Sequence, residues 1–172
     1  MNEQNVSVSN AGIRYGIMVG LISVVYSFIL IVLDESMNRT LGAFSYIFLI
    51  GGMVLAFKYY KAHNGGFMSF GQGIGIGTLM SLVVGLFSSV FMYIYMKFVD
   101  PEMMSRVMEL QRIEMEKQGM DDAQIDQAIA MSEKFTNPEM IVIFGTIGFV
   151  IIGFIIALVV SAIMKETRPE FE

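Results

Sequence analysis

Four stretches of this sequence run without a formal charge for about the length a helix needs to cross a lipid bilayer. They are residues 15–33, 40–57, the apolar part of 62–96 from about 73 onward, and 140–164. A hydrocarbon core ~30 Å thick takes about 20 apolar residues at a rise of roughly 1.5 Å each. Arg14, Asp34, Arg39, Lys58, Lys97, Glu139 and Lys165 fall at the ends of these stretches, where charged groups stay hydrated. With 55% hydrophobic and 16% charged residues, against about a quarter charged in soluble domains, the chain reads as an integral membrane protein. The expected fold is an all-α four-helix membrane bundle, one membrane domain over residues 1–172 with spans about 12–33, 40–60, 70–97 and 139–164. Residues 98–138 form an acidic helical hairpin inserted outside the membrane between the third and fourth helices.

The same composition removes several function classes. Without cysteine there is no disulfide framework, thiolate zinc site or cysteine nucleophile. A net charge of −5 disfavours nucleic acid, whose phosphates call for clustered cations. The 17 glycines follow no collagen period. Residues 1–10 hold no Lys or Arg, and no A-x-A site follows the first apolar stretch, so that stretch is expected to be a retained anchor rather than a cleaved signal.

Orientation is read from Lys and Arg near the span ends. Arg14, Lys58, Lys61, Lys165 and Arg168 cluster on one side, whereas five of the six on the other side are dispersed through residues 97–139. Both termini are therefore expected in the cytoplasm. Residues 97–139 hold ten of the sixteen acidic residues and five of the eleven basic ones, so this segment alone accounts for the net charge.

Helices in lipid gain no hydrophobic drive to associate, and close packing relies on small residues. The chain supplies these at a spacing of four: Gly12, Gly16 and Gly20; Gly52 and Ala56; Gly73, Gly77, Ser81, Gly85 and Ser89; Gly145, then Gly153, Ala157 and Ser161. The third span has the longest ridge and is expected at the centre of the bundle. No charge lies inside a span, which disfavours an ion-coupled transporter. Gln72, Thr78, Ser81 and Ser88, with a partly unwound 71–77 run, are the best support for a transport path or channel subunit. That run completes neither a dinucleotide-binding nor a P-loop pattern. The tyrosines near span ends suit interfacial anchoring, and His63 is a lone histidine in a basic loop.

The acidic segment carries its own helix punctuation. Asp100-Pro101 reads as a cap followed by a first-turn proline, Gly119 as a stop, Asp121 as a second cap, and Asn137-Pro138-Glu139 as the start of the last span. Two amphipathic helices follow, about 101–118 and 122–135. On the first, Met103, Val107 and Leu110 share a stripe with Met104, Met108 and Met115 alongside; on the second, Ile125, Ala128, Ile129 and Phe135 share a face. Methionine suits adaptable contacts, so Met103, Met104, Val107, Met108, Leu110, Met115, Ile125 and Ile129 form a candidate partner surface. The pairs Met104/Met108 and Met92/Met96 have a spacing open to soft copper, but no His or Cys accompanies them, and no metal or other cofactor is expected.

Gly12-Ile13-Arg14-Tyr15-Gly16, Lys58-Tyr59-Tyr60-Lys61, Gly65-Gly66-Phe67-Met68-Ser69-Phe70-Gly71-Gln72 and Phe98-Val99-Asp100-Pro101 resemble a four-span family of unknown function found mainly in Bacteroidota. The likeness covers nearly the whole chain. It implies a bacterial inner-membrane protein and no reaction, ligand or catalytic residue. Acid–base or metal chemistry needs converging carboxylates or histidines, and Glu109, Glu114 and Glu116 read as a hydrated surface. The expected function is thus a non-enzymatic membrane association or scaffolding module, partnered by the bilayer and by itself or another membrane or envelope protein; the alternative is a small-solute transporter or channel subunit.

Overall fold

The helix starts are written in short polar residues whose side chains take up orphan backbone donors. In the computed structural model, which describes residues 5–135 and 137–167, Ser7 accepts from the Asn10 amide and opens α1 (Val8–Val32). Asn38 accepts from Thr40 and Leu41 to open α2 (Arg39–Ala62). Ser69 and Gln72 cap α3 (Phe70–Ile94) reciprocally, each side chain accepting from the other's backbone N–H. A π-helical turn, Tyr95–Val99, continues it. Then come α4 (Met103–Lys117), α5 (Asp122–Phe135) and α6 (Pro138–Met164). Asp121 with Gln124 repeats the reciprocal cap before α5, and Asn137 accepts from the Met140 amide at the head of α6. Among the described residues there is no strand, only one antiparallel bridge between Met68 and Glu166. Arg168 and the side chains of Phe135 and Pro138 lie outside the described residues.

Four helical stretches, Val8–Val32, Arg39–Ala62, Phe70–Val99 and Glu139–Met164, are long and apolar enough to cross a membrane. Their burial is the reverse of a water-soluble core. The last is the most apolar of the four, yet only 17% of its central window is buried, against 39% for the third. Ile, Leu, Val and Phe side chains such as Val25, Ile47, Leu55, Ile151 and Ile163 face outward, while Ser81 and Ser161 are fully buried. Aliphatic surface on this scale outside and hydroxyls inside suit helices that cross a membrane.

Contacts divide the chain into two units, 5–88 with 146–167, and 89–145. In the first unit α3 touches each of the other three helices. Gly12, Gly16 and Gly20 of α1 lie against Leu79, Val83 and Phe87 of α3, a parallel ladder stepping by four on both helices. Gly52 of α2 receives Val19 and Met80, and Met53 reaches Gly77. Leu49, Met53, Ala56, Phe57, Ile76, Met80 and Val84 fill the space between them.

The second unit contains α4 and α5, which touch through Arg112 and Asp126 at 2.6 Å. Gly119, at φ +81°, closes α4 with bonds from Met120 N–H to Met115 O and from Gly119 N–H to Glu116 O, the pairing of a Schellman stop. Asp100 stands at the head of α4: the helix begins at Met103, Glu102 before it is already helical and makes no side-chain cap bond, and the Met103 N–H bonds to the Asp100 carbonyl. The Asp100 carboxylate pairs with Arg106; that hydrogen bond first, and the backbone N–H groups of Glu102 and Met103 as well, hold its pKa below the ordinary carboxylate value.

Candidate functional site

The small-residue ridge of α3 meets α6 along an antiparallel register that repeats every fourth residue. Gly73 faces Ser161, Gly77 faces Ala157, Gly153 faces Ser81 and Gly85 faces Phe149. In the second unit Gly145 faces Ser89. A Cβ added at Gly77 would come within 2.5 Å of the Ala157 Cβ, and one at Gly153 would overlap the Ser81 side chain. Backbones this close gain van der Waals contact over many atoms. Phe149 is the one large side chain in the series, seated where Gly85 leaves room. Ala56 is fully buried in the same core.

Ser81, Ser89, Thr146 and Ser161 of the spans lie in this packing, each against a glycine of the facing helix. The Ser81 hydroxyl donates to the Gly77 carbonyl at 2.8 Å, the local back-bond available to serine in a helix. The hydroxyl oxygens of Thr78, Ser88, Thr146 and Ser161 are buried without a partner. Gln72 caps the start of α3, and α3 is regular α-helix through residues 71–77 rather than partly unwound. The motif Ser69-x-x-Gln72 is a reciprocal cap, a signal already present in the sequence. Among the described residues, no three His, Asp or Glu side chains gather as a metal site.

On the acidic segment, α4 has no buried residue. Met103, Met104, Val107, Met108 and Met115 are half-covered, Leu110 is 50% exposed, and Ile113 beside it is also exposed. On α5, Ile125 is fully buried, Ile129 half-buried and Met131 65% exposed. Leu110 therefore stands apart from the stripe in which the helical spacing groups it.

One arrangement went unread in the sequence: the polar end of the first unit, where the starts of α1 and α3 meet the ends of α2 and α6. Arg14 donates to the Tyr59 hydroxyl at 2.9 Å and lies over its ring at 4.8 Å. Tyr15 and His63 pack on the same ring, with centroids 5.5 and 4.3 Å away. Gly65 and Gly66, both at positive φ, turn the chain after α2. Asn64 donates to the Val6 and Tyr60 carbonyls, Met68 exchanges both backbone bonds with Glu166, and Lys61 reaches the Glu166 carboxylate and the Met164 carbonyl. A cleft of about 340 Å³ opens there between Tyr60, Asn64, Phe67, Ser69, Gln72 and Glu166. The run 65–72 is thus the clasp that joins the second turn to the C-terminal segment, which accounts for its dense mixture of glycine, aromatic and polar residues. The recurrence of the pairs Tyr59/His63 and Ser69/Gln72 at helical spacing was the available signal.

No curated protein and no solved structure matches the chain. A family model described as a protein of unknown function (DUF4199) matches residues 14–166. That span takes in the α3–α6 register, the clasp and the acidic segment, and on it the chain belongs to the DUF4199 family.

Proposed function

We propose that this chain is a non-enzymatic multi-pass protein of a bacterial inner membrane that associates with a second copy or with another membrane or envelope protein through its acidic segment. In this reading α4 and α5 form a hairpin outside the bilayer, on the side opposite both termini. Arg14, Lys58, Lys61 and Lys165 gather at the end that carries the α1 start and the α6 end, and the positive-inside tendency puts that end in the cytoplasm. The observation that carries the proposal is α4 itself, an amphipathic helix with no buried residue. A 15-residue helix is marginal on propensity alone and depends on burying apolar surface; Leu110 and Ile113, exposed beside the half-covered methionine stripe, offer such surface to a partner. The transport reading loses Gln72 to the cap of α3 and Ser81 to the Gly153 contact.

The chain has no cysteine, so Leu110→Cys introduces a single thiol. Coupling that thiol in native membranes to a maleimide–benzophenone, which on illumination inserts into a neighbouring C–H bond, and identifying the captured chains should yield one defined product, a dimer or one recurrent partner. Met131→Cys should give the same product. Recovery of monomer alone from both variants contradicts the proposal.

A further inference from the structure

The α1–α2 groove at the polar end of the first unit has the chemistry of a lipid site, and we propose that it binds one anionic phospholipid, with the phosphate on Arg14 and Tyr59. The argument begins with an imbalance of donors. A guanidinium presents five N–H donors and no acceptor. Arg14 uses one of them on the Tyr59 oxygen, and no carboxylate of the described residues pairs with it. The Tyr59 hydroxyl accepts that bond, which leaves its own proton to give, and the described residues supply no acceptor. Two donors therefore sit side by side at one exposed spot, and no carboxylate of the described residues pairs with them. Guanidinium and phosphate fit each other in charge and in fork geometry.

The cation is also held in place. Its central carbon lies over the Tyr59 ring, and Tyr15 and His63 pack against that ring as well. His63 is fixed in turn, its Nδ1 2.8 Å from the Tyr59 carbonyl oxygen. A guanidinium restrained in this way loses little freedom on binding.

What selects a lipid over a soluble anion is the surface running away from Arg14 toward the middle of the helices. Down α1 the same row continues with Met18 and Ile22, and up α2 from Tyr59 it continues with Leu55, Gly51 and Ile47, all exposed. A Cβ at Gly51 would meet nothing within 4 Å, so the row has an open notch. A charged head at the interface above an apolar track one helix row wide matches a phospholipid with one acyl chain along the groove. Lys58 and Lys165, exposed at the same end, add a general attraction for anionic leaflets; Arg14 and Tyr59 add the site.

The test uses the purified full chain in dodecyl maltoside, with lipid retention read by native mass spectrometry. Phosphatidylglycerol should be retained about tenfold over phosphatidylcholine, which carries the same phosphate but offsets its charge with a choline cation that Arg14 repels. Arg14→Gln should reduce it to the phosphatidylcholine level, Tyr59→Phe should remove part of the preference while keeping the ring, and Lys58→Gln should leave it within about twofold. Should Arg14→Gln fail to fold, Tyr59→Phe carries the test. Equal retention of the two lipids, or an equal loss in Lys58→Gln and Arg14→Gln, overturns the site. Displacement of phosphatidylglycerol by inorganic phosphate at equal concentration overturns the lipid assignment.

Discussion

Gly153→Leu should push α6 away from α3 and destabilise the bundle by about 3 kcal/mol, the upper range for overpacking a close contact. The position has no room: any Cβ there overlaps Ser81, and both sit on helices whose other contacts repeat the same register at Gly77/Ala157 and Gly73/Ser161. Moving the bulk should undo the damage. Gly153→Ser alone should destabilise, whereas the exchange Gly153→Ser with Ser81→Gly removes the side chain that was in the way and lets the new hydroxyl bond back along α6. The double variant should recover most of the loss, a coupling expected only between residues in direct contact. Gly51→Ala and Gly148→Ala serve as controls, because a Cβ at either position meets nothing within 4 Å; each should be neutral or gain up to about 1 kcal/mol from helix propensity. Unfolding by dodecyl sulfate titration in mixed micelles measures all five. An exchange variant no more stable than Gly153→Ser would mean that this register does not hold the helices.

The second large effect is expected at Phe57, the largest fully buried side chain. Phe57→Ala should cost about 3 kcal/mol, the low end of the range for this truncation. The low end applies because the unfolded helix in lipid already keeps its apolar groups out of water, so the loss is chiefly of contact and not of transfer. Ile155→Ala, at an exposed position on α6, should change stability by less than about 0.5 kcal/mol. Equal effects at the two positions would contradict the assignment of inside and outside.

These expectations also mark how far the sequence could be read. The uncharged stretches and the caps at Asp121 and Asn137 are local signals, since hydropathy and helix capping act over one or a few turns. The five-membered ridge from Gly73 to Ser89 was visible for the same reason, and so was the place of α3 in the middle. Its pairing with α6 was not, because register depends on two segments far apart in the chain. Asp100 was legible as the polar residue at the head of α4, but its pairing with Arg106 was not. Gln72 looked intramembrane only while Ser69 went unrecognised as its capping partner. The ring of contacts around Tyr59 joins α1 to α2 across 45 positions, a distance over which no periodicity speaks.

The central claim is that hydrocarbon surrounds four of these helices, and single cysteines test it directly because the chain has none of its own. Val25, Ile50, Leu86 and Ile155, one on each spanning helix, are 58%, 41%, 43% and 56% exposed on the protein itself, so water would reach all four were water the solvent. In sealed and then permeabilised membrane vesicles, a charged maleimide should leave cysteines at these positions unmodified and should label them fully after denaturation in dodecyl sulfate. A cysteine at Gln118, in the turn between α4 and α5, should react in the permeabilised vesicles before denaturation. Rapid labelling of the four helix positions in intact membranes, at the rate seen for Gln118→Cys, would contradict the account.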